Sequence, residues 1–186
     1  MAMRVISGSG GFTLIELMVV VAVASILMSL AAPAMSHISN AMRVTTGVNS
    51  LHSSLLLARS EAGKRNSRAV VCKSASGQAC TTTGGWEQGW IVFHDANNNA
   101  TLDTGEALLL RQEGILHPIR IEGNAPVQSY VSYTPMGRTS FTSGAFQAGT
   151  FTVCQESASQ VDARQIVISS SGRPRTVRTT VAQCPV

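Results

Sequence analysis

Two arginines near the end of the chain, Arg173 and Arg175, are spaced two positions apart in the segment Ser169–Arg175. In an extended segment, residues two apart point to the same side, so both guanidinium groups can face one phosphate backbone. Gly172 permits close approach, and Pro174 stiffens the segment between the two arginines. The serine hydroxyls before them can add hydrogen bonds to phosphate oxygens. This pattern predicts a phosphate-binding site.

Positive charge is concentrated in this part of the chain. The 186 residues include 14 lysines and arginines and 10 acids, a net charge of +4. The last 24 residues carry four arginines and no acid, whereas residues 86–122 carry six acids and two arginines. Aromatic residues make up only 5%, which excludes a broad aromatic stacking surface for single-stranded nucleic acid. The expected interaction is therefore electrostatic and local to the tail.

The apolar residues are concentrated at the other end of the chain. The 24 residues from Phe12 to Met35 form an apolar run with one charge, Glu16, near its start. This length is sufficient for a helix that crosses a bilayer. A secretory signal peptide has a shorter apolar stretch and a small-residue cleavage site after it, which this run lacks. A plain membrane anchor explains the length but not the carboxylate, which is costly in a bilayer without a partner.

The start of this run, Gly11-Phe12-Thr13-Leu14-Ile15-Glu16-Leu17, resembles the processing site of type IV pilins and pseudopilins. The resemblance implies that a prepilin peptidase cleaves after Gly11 and methylates the new amino terminus at Phe12. It also implies that Glu16 pairs with the terminal ammonium of a neighbouring subunit in the filament core, which satisfies both buried charges. Residues 1–11 are then a leader peptide, and residues 12–36 form a transmembrane and filament-core helix. An ordinary signal anchor is the alternative.

An amphipathic helix is predicted to continue this segment up to about Gly63. Apolar residues from Val44 to Ala62 recur at spacings of three and four, which places them on one helix face. The segment Gly63-Lys64-Arg65-Asn66 then ends the helix. Residues 37–63 are therefore assigned to an amphipathic helix that continues into a globular domain.

Residues 64–186 are predicted to form a β-rich head domain with a basic C-terminal tail. Short segments rich in Val, Ile, Phe and Tyr are separated by turn residues, a pattern typical of strands. The predicted strands are Ala69–Lys73, Gly89–His94, Ala107–Gln112, Ile119–Glu122, Tyr130–Thr134, Thr150–Gln155 and Arg164–Ile168. The predicted fold class is α+β: the type IV pilin fold, with a long N-terminal helix packed on an antiparallel β-sheet domain.

Further segments resemble the H-type pseudopilin family, GspH/FimT. They are Ala58–Ala62, residues between Trp86 and Asn99, and Glu106 with Leu108 and Leu109. This family includes the type II secretion pseudopilin H and the minor type IV pilins FimT and FimU. The resemblance covers nearly the whole mature chain. The two tryptophans in it, Trp86 and Trp90, are interpreted as core residues beside a turn glycine.

The tail resembles one branch of this family more closely. Gly172-Arg173-Pro174-Arg175 matches the GRxR motif of FimT proteins, minor pilins that bind DNA during natural transformation. The resemblance implies that Arg173 and Arg175 contact DNA. Arg178 and Arg164 are added to the predicted DNA-binding residues from charge alone. A solvated basic strand end is the structural alternative.

The four cysteines are predicted to form two disulfides. A pilin head domain lies outside the cytoplasmic membrane, an oxidising setting in which an even number of cysteines suggests pairing. Four cysteines allow three connectivities. We favour Cys72–Cys80, which closes a small polar loop, and Cys154–Cys184, which ties the tail to a strand.

The segment Asp95–Glu106 has the spacing of an EF-hand-like calcium loop. The oxygen-bearing residues are Asp95, Asn97, Asn99, Asp103 and Glu106. Its sixth position is Ala100 where such loops have glycine, and its flanks look like strands. We interpret it as an Asn-rich hairpin loop and predict no metal site, although calcium binding stays open.

No catalytic set is apparent in the sequence, because the four histidines are scattered and no serine or cysteine lies in a nucleophile motif. The chain is therefore predicted to be neither an enzyme nor a cofactor-binding protein. The preferred hypothesis is a minor type IV pilin that binds double-stranded DNA without sequence preference. The alternative is a structural minor pilin, or a type II secretion pseudopilin H, that primes filament assembly without binding DNA.

This hypothesis implies a set of partners and a location. The partners are double-stranded DNA, other major and minor pilins, prepilin peptidase and, before assembly, the inner membrane. The chain would cross the inner membrane once, with its head domain in the periplasm, and would then be assembled into a pilus at the cell surface.

Overall fold

The computed structural model describes residues 11, 13–115 and 117–184, without the side chains of residues 30–34, 36 and 37. The proposed methylated residue Phe12 and the predicted leader before Gly11 lie outside the described residues. The chain divides into two compact units between Ser39 and Asn40.

The helix α1 extends from Leu14 to Arg65. It begins after Thr13, whose hydroxyl caps the first turn. At its other end Asn66 has a φ of 48°, and its N–H donates to the Gly63 carbonyl at 3.3 Å, which closes the last turn. The helix therefore continues two residues beyond the predicted end at Gly63.

The residues of α1 in the first unit have largely exposed apolar side chains. They are Leu14, Ile15, Leu17, Met18, Val19, Val20, Val21, Val23, Ile26, Leu27, Met28, Met35 and Ile38. Among the described residues, none of the helices has both the length and the apolar character that crossing a membrane requires.

Eight strands form two antiparallel sheets in the second unit. The strands are β1 Arg68–Lys73, β2 Gly89–Asp95, β3 Leu108–Glu113, β4 Ile119–Gly123, β5 Tyr130–Tyr133, β6 Gly149–Gln155, β7 Val161–Ile168 and β8 Pro174–Val181. The first sheet has the order β3-β2-β1-β5, and the second has the order β4-β6-β7-β8. A long helix followed by antiparallel sheets confirms the predicted α+β fold class. The strands form two sheets where the sequence pattern predicted one, because β4 pairs with β6 rather than with β5.

The eighth strand is missing from the predicted set. β8 lies at the edge of its sheet and is largely exposed, so its sequence lacks the enrichment in large apolar residues by which the other strands were predicted. It also begins at a proline, which is compatible with an edge strand but weakens a strand pattern. β8 contains Arg175 and Arg178, so this edge carries half of the predicted DNA-binding residues.

One face of α1 supplies the centre of the core. The predicted stripe is confirmed: Val44, Val48, Leu51, Leu55, Ala58 and Ala62 are all buried. They pack in one cluster with Trp86 of the short helix Trp86–Gln88 and with residues of both sheets, including Trp90, Phe151 and Ile166. The Trp90 indole N–H donates to the Ser54 hydroxyl at 2.9 Å, and Trp86 packs edge-on against Phe151. Both tryptophans are thus core residues, and the second unit has a complete core of its own.

Candidate nucleic-acid interface

The arginine pair lies where the β7–β8 loop enters β8, with Arg173 at the end of the loop and Arg175 in the strand. Ile168 and Pro174 are paired across the two strands, so residues 169–173 form a short connection. The Gly172 N–H donates to the Ser169 carbonyl at 2.9 Å, and Gly172 has a φ of 75°. Glycine adopts this left-handed conformation without the strain that a side chain would add. Gly172 therefore allows the chain to turn directly before Arg173 and to enter β8.

Arg173 and Arg175 are both exposed and flank a buried proline. Pro174 is buried, and its carbonyl oxygen lies 3.4 Å from the Nε2 atom of His52 on α1. Extended backbone sends alternate side chains to opposite sides. With Pro174 directed inward, the two guanidinium groups leave the surface on the same side.

Arg164 and Arg178 form a separate pair. They face each other directly across β7 and β8. Arg178 is three positions from Arg175 in one strand, so alternation places the two side chains on opposite faces of the sheet. Like charges directly opposite each other on a sheet are unfavourable, and an anion bound between them would relieve the repulsion. The structure thus divides the four predicted residues into two pairs on two faces.

The four arginines lack acidic partners within the described part of the chain. No carboxylate there lies within 4.0 Å of the side-chain nitrogens of Arg164, Arg173, Arg175 or Arg178. By contrast, Arg120 and Arg65 each pair with a glutamate. The positive charge of the tail is therefore not neutralised by the described carboxylates.

Arg138 is a further basic residue at this site, and it is absent from the residues predicted from the sequence. It is exposed and belongs to the turn that connects β5 to the next segment. A Cβ atom on Gly172 would lie 2.2 Å from the Gly137 carbonyl oxygen and 3.1 Å from the Arg138 Cα, so the two turns are in direct backbone contact. In the sequence Arg138 is isolated from the tail, and its only signal is the turn glycine before it.

Side-chain contacts hold the turn at Arg138 and the loop at Gly172 in place. The Arg59 Nε–H donates to the Gly137 carbonyl at 2.9 Å, and the Thr139 hydroxyl, which donates to the Gln147 carbonyl, lies 3.3 Å from the Ser169 carbonyl oxygen. Burial raises the pKa of the nearby Tyr133 hydroxyl, and Arg59 opposes this shift.

Both disulfides have the favoured connectivity. Cys72 bonds to Cys80, and Cys154 on β6 bonds to Cys184 after β8. Cys154 and Cys184 are fully buried and cluster with Ala163. The second disulfide thus ties the end of the tail to the centre of its sheet.

Glu16 forms a capping box with Thr13 at the start of α1. The Glu16 carboxylate accepts bonds from the N–H and the hydroxyl of Thr13, both at 2.9 Å. The Thr13 hydroxyl in turn accepts the Glu16 N–H at 3.3 Å. This reciprocal pair satisfies N–H groups that a helix leaves free in its first turn. In the single chain the carboxylate therefore already has a local partner.

The oxygen atoms of the Asp95–Glu106 loop bond mainly to the loop itself. Asp95 accepts the N–H groups of Asn99 and Ala100, and Asp103 accepts the side-chain amides of Asn97 and Asn99. The two amide bonds lower the pKa of Asp103. Among the described residues, no group of three or more His, Cys, Asp or Glu side chains is arranged to hold a metal ion.

A cavity of about 230 Å³ beside β4 is lined by charged residues, among them Lys73, Glu87 and Arg120. The buried Lys73 Nζ donates to the carbonyls of Thr82 and Gly84. Burial lowers the pKa of Lys73, while Glu87 and Glu122 oppose this shift. Glu87 pairs with Arg120 at 3.0 Å and also accepts the Ile121 N–H. Lys73 thus ties β1 to the segment 82–84, and Glu87 ties the short helix Trp86–Gln88 to β4.

The sequence matches the family described as type II transport protein GspH over residues 47–172. The chain belongs to the GspH family. The N-terminus also matches the prokaryotic N-terminal methylation motif, over residues 6–32. The GspH match ends at Gly172, so Arg173 and Arg175 lie just beyond it.

Two solved structures with a similar fold are crystal structures of the type IV minor pilin FimU of Pseudomonas aeruginosa PAO1. In space group P21, FimU is 17% identical with a TM-score of 0.55, and the match covers 81% of this chain and 98% of FimU. In space group P65 the identity is 18% and the TM-score 0.53, with 76% and 99% covered. At this identity the likeness shows the fold alone. A search of curated proteins found no match.

GspH membership and the methylation motif together indicate a minor pilin or pseudopilin role for this chain. They imply other pilins as partners and processing by a prepilin peptidase. Families of this kind are structural rather than enzymatic.

Proposed function

We propose that this GspH-family protein is a minor type IV pilin that binds double-stranded DNA without sequence preference and supports DNA uptake in natural transformation. The observation that carries the proposal is the exposed pair Arg173 and Arg175, which flanks a buried proline and has no described carboxylate partner. The resemblance of this segment to the GRxR motif of FimT proteins supports the same function.

Binding would be dominated by the phosphate backbone. Each guanidinium can form two parallel hydrogen bonds to phosphate oxygens, and its charge releases counterions from the DNA. Arg138 adds a third guanidinium beside the pair, because its turn contacts Gly172. Arg164 and Arg178 contribute from the other face of the sheet. Contacts to phosphates position a protein on DNA but carry no sequence information, so binding is non-specific.

The N-terminal part would place the head domain in a filament. After cleavage at Gly11, the exposed apolar residues of α1 would lie in the inner membrane and later in the filament core. Glu16 would exchange its bonds with Thr13 for the terminal ammonium of a neighbouring subunit. The head domain would lie in the periplasm before assembly and at the cell surface afterwards. Several such subunits in one pilus would add avidity to a weak individual site.

The test is a gel shift of a DNA duplex by the full chain in a non-ionic detergent, at two salt concentrations. We expect retardation at low salt that declines steeply at high salt, with a logarithmic slope of about −0.9 per phosphate contacted. The double variant R173Q/R175Q should lose nearly all binding. The matched control R43Q/R111Q removes two exposed arginines elsewhere and should bind as the wild type does. If R173Q/R175Q binds as the wild type does, this site is wrong.

A second candidate function follows from the GspH description as a type II transport protein. In that case the chain is a structural pseudopilin or minor pilin that primes filament assembly through protein contacts. It would give no salt-sensitive gel shift, and its deletion would impair secretion or piliation without a separate effect on DNA binding.

A further inference from the structure

Phe146 is the most exposed aromatic side chain among the described residues. It is 67% exposed, whereas Phe93, Phe151, Tyr133, Trp86 and Trp90 are buried, and Tyr130 and Phe141 are partly buried against each other. Burying a phenylalanine side chain contributes about 1.5–3 kcal/mol, so leaving one in water forgoes that stabilisation. Met136 lies nearby and is 86% exposed. Two large apolar side chains are thus presented together to solvent.

These two residues border an open hollow of about 590 Å³. This volume lies within the range of roughly 300–1,000 Å³ that is typical of small-molecule sites. Its lining combines apolar and polar residues: Asn66, Thr134, Pro135, Met136, Arg138, Thr139, Ser140, Gly144 and Phe146.

The walls of the hollow are anchored to the core. Phe146 forms a β-bridge with Ser140, and the Phe141 N–H donates to the Ala145 carbonyl at 2.8 Å. The next residue, Gln147, is fully buried, and its side chain bonds to the backbone of Ser132, Pro126 and Tyr130. Phe146 is therefore held at the surface by a fixed hairpin.

The hollow adjoins the proposed phosphate-binding site. Arg138 lines it, and the turn of Arg138 contacts Gly172, which directly precedes Arg173. A DNA strand whose phosphates lie on the arginines would thus have its bases within reach of Phe146. Aromatic side chains stack on nucleobases, and this contact tolerates any base because every base has a π-face.

We propose that this hollow binds one unpaired nucleobase of a DNA strand whose backbone lies on Arg138, Arg173 and Arg175. The base stacks on Phe146, and Met136 and Asn66, which also line the hollow, are available for an apolar contact and for a hydrogen bond to its polar edge. The inference rests on the proposed DNA-binding function and adds a preference for single strands and open duplex ends. Because aromatic residues are few, a surface that stacks several bases in a row is excluded. The exposed Phe146 ring can stack on a single base.

The test compares two fluorescent DNAs in anisotropy titrations with the full chain in non-ionic detergent. One is a short single strand, and the other is a duplex whose two ends are each closed by a non-nucleotide ethylene-glycol linker, so that it contains no unpaired base. We expect Phe146→Ala to weaken single-strand binding by about tenfold while leaving closed-duplex binding nearly unchanged. Phe146→Trp should retain single-strand affinity, and Phe146→Leu should lose it, because only the ring stacks. Leu108→Ala, which truncates an exposed apolar residue on β3, is the matched control.

The outcomes separate this inference from the function on which it rests. If Phe146→Ala binds the single strand as the wild type does, while R173Q/R175Q loses the closed duplex, the nucleobase site is overturned and DNA binding stands. If the wild-type chain binds neither DNA at low salt, the proposed function itself fails. Equal loss of both DNAs in Phe146→Ala, with Phe146→Trp no better, would also overturn the nucleobase site, because it indicates a general disturbance of the surface.

Discussion

Gly172 determines how closely the arginine loop approaches the rest of the domain. It combines a φ of 75° with a backbone contact that leaves no room for a Cβ atom. A side chain here would push the loop away from Gly137 and Arg138. The position of the arginine pair therefore depends on a residue that carries no charge.

We predict that Gly172→Ala lowers stability by about 1–3 kcal/mol through backbone strain and steric overlap. It should also weaken DNA binding, although every arginine is retained. Thermal unfolding and the duplex gel shift measure the two effects. Gly105→Ala is the control, because Gly105 also has a positive φ, of 95°, but has open space around it and lies in the distant Asp95–Glu106 loop. If the two variants bind duplex DNA equally well, the contact between the turns does not position the arginines.

Ser54 is the only described hydrogen-bond partner of the buried Trp90 indole. We predict that Ser54→Ala destabilises the chain by about 1–3 kcal/mol, because it leaves a buried donor unsatisfied. Ser53→Ala is the matched control. Its hydroxyl is exposed and bonds to the Ser50 carbonyl, which Ser54 also uses, so its loss should change stability by less than about 0.5 kcal/mol. Denaturant unfolding distinguishes them, and equal losses would contradict the role of the Trp90 bond.

At the level of elements, the strand that carries the tail is held at both ends. β8 pairs with β7 along its length, and the disulfide after it returns to β6. Strand β8 has no partner on its outer side within the described sheet, so the disulfide supplies part of the restraint that a second neighbouring strand would give.

The two disulfides should differ in their contribution to stability. Their sequence separations are 30 residues for Cys154–Cys184 and 8 residues for Cys72–Cys80. Because a longer loop loses more entropy on closure, replacing both cysteines by alanine should cost about 3–4 kcal/mol for the first pair and about 2–3 kcal/mol for the second. Denaturant unfolding of the two double variants tests the order. Only the first pair should also weaken DNA binding, because it ties down the tail.

The Asp95–Glu106 loop should loosen in acid. Its two side-chain amide bonds keep the pKa of Asp103 below the usual range of an aspartate. A carboxyl group with a lower pKa in the folded state stabilises that state above its unfolded pKa, and the contribution is lost as the pH falls through the folded pKa. Thermal unfolding of the wild type should therefore depend more steeply on pH below about 4 than that of Asp103→Asn. Parallel curves would show that Asp103 does not contribute.

At the scale of the whole molecule, the net charge of +4 is unevenly placed. The two arginine pairs of the tail lie on opposite faces of one sheet. A rigid duplex can contact one face closely, while the other face acts only through its long-range field, which salt screens.

We predict that R164Q/R178Q lowers duplex affinity by only about threefold at low salt. R173Q/R175Q makes the same change in net charge and should nearly abolish binding. Salt titrations of both variants measure the effect. R173Q/R175Q should reduce the dependence of affinity on salt, because direct phosphate contacts are lost, and R164Q/R178Q should reduce it much less. Equal losses would mean that DNA wraps around both faces of the β7–β8 hairpin.

The sequence alone determined the features that depend on local pattern. The apolar stripe from Val44 to Ala62 identified the buried face of α1, and short segments rich in Val, Ile, Phe and Tyr between turn residues identified seven strands. The motif around Glu16 indicated a pilin-like chain, and the GspH and methylation-motif matches agree with it. Each of these signals is carried by neighbouring residues, because helix and strand periods repeat within a few positions.

Only the tertiary structure decided which distant residues meet. It divided the strands into two sheets, placed Arg138 beside Gly172, and separated Arg164 and Arg178 from the other arginine pair. It also left Phe146 exposed beside a hollow, which the low aromatic content of the sequence did not suggest. Strand pairing and contacts between turns depend on side-chain packing across long sequence separations, and no local period records them. The shape of the candidate DNA-binding surface therefore follows from the fold, and its charge follows from the sequence.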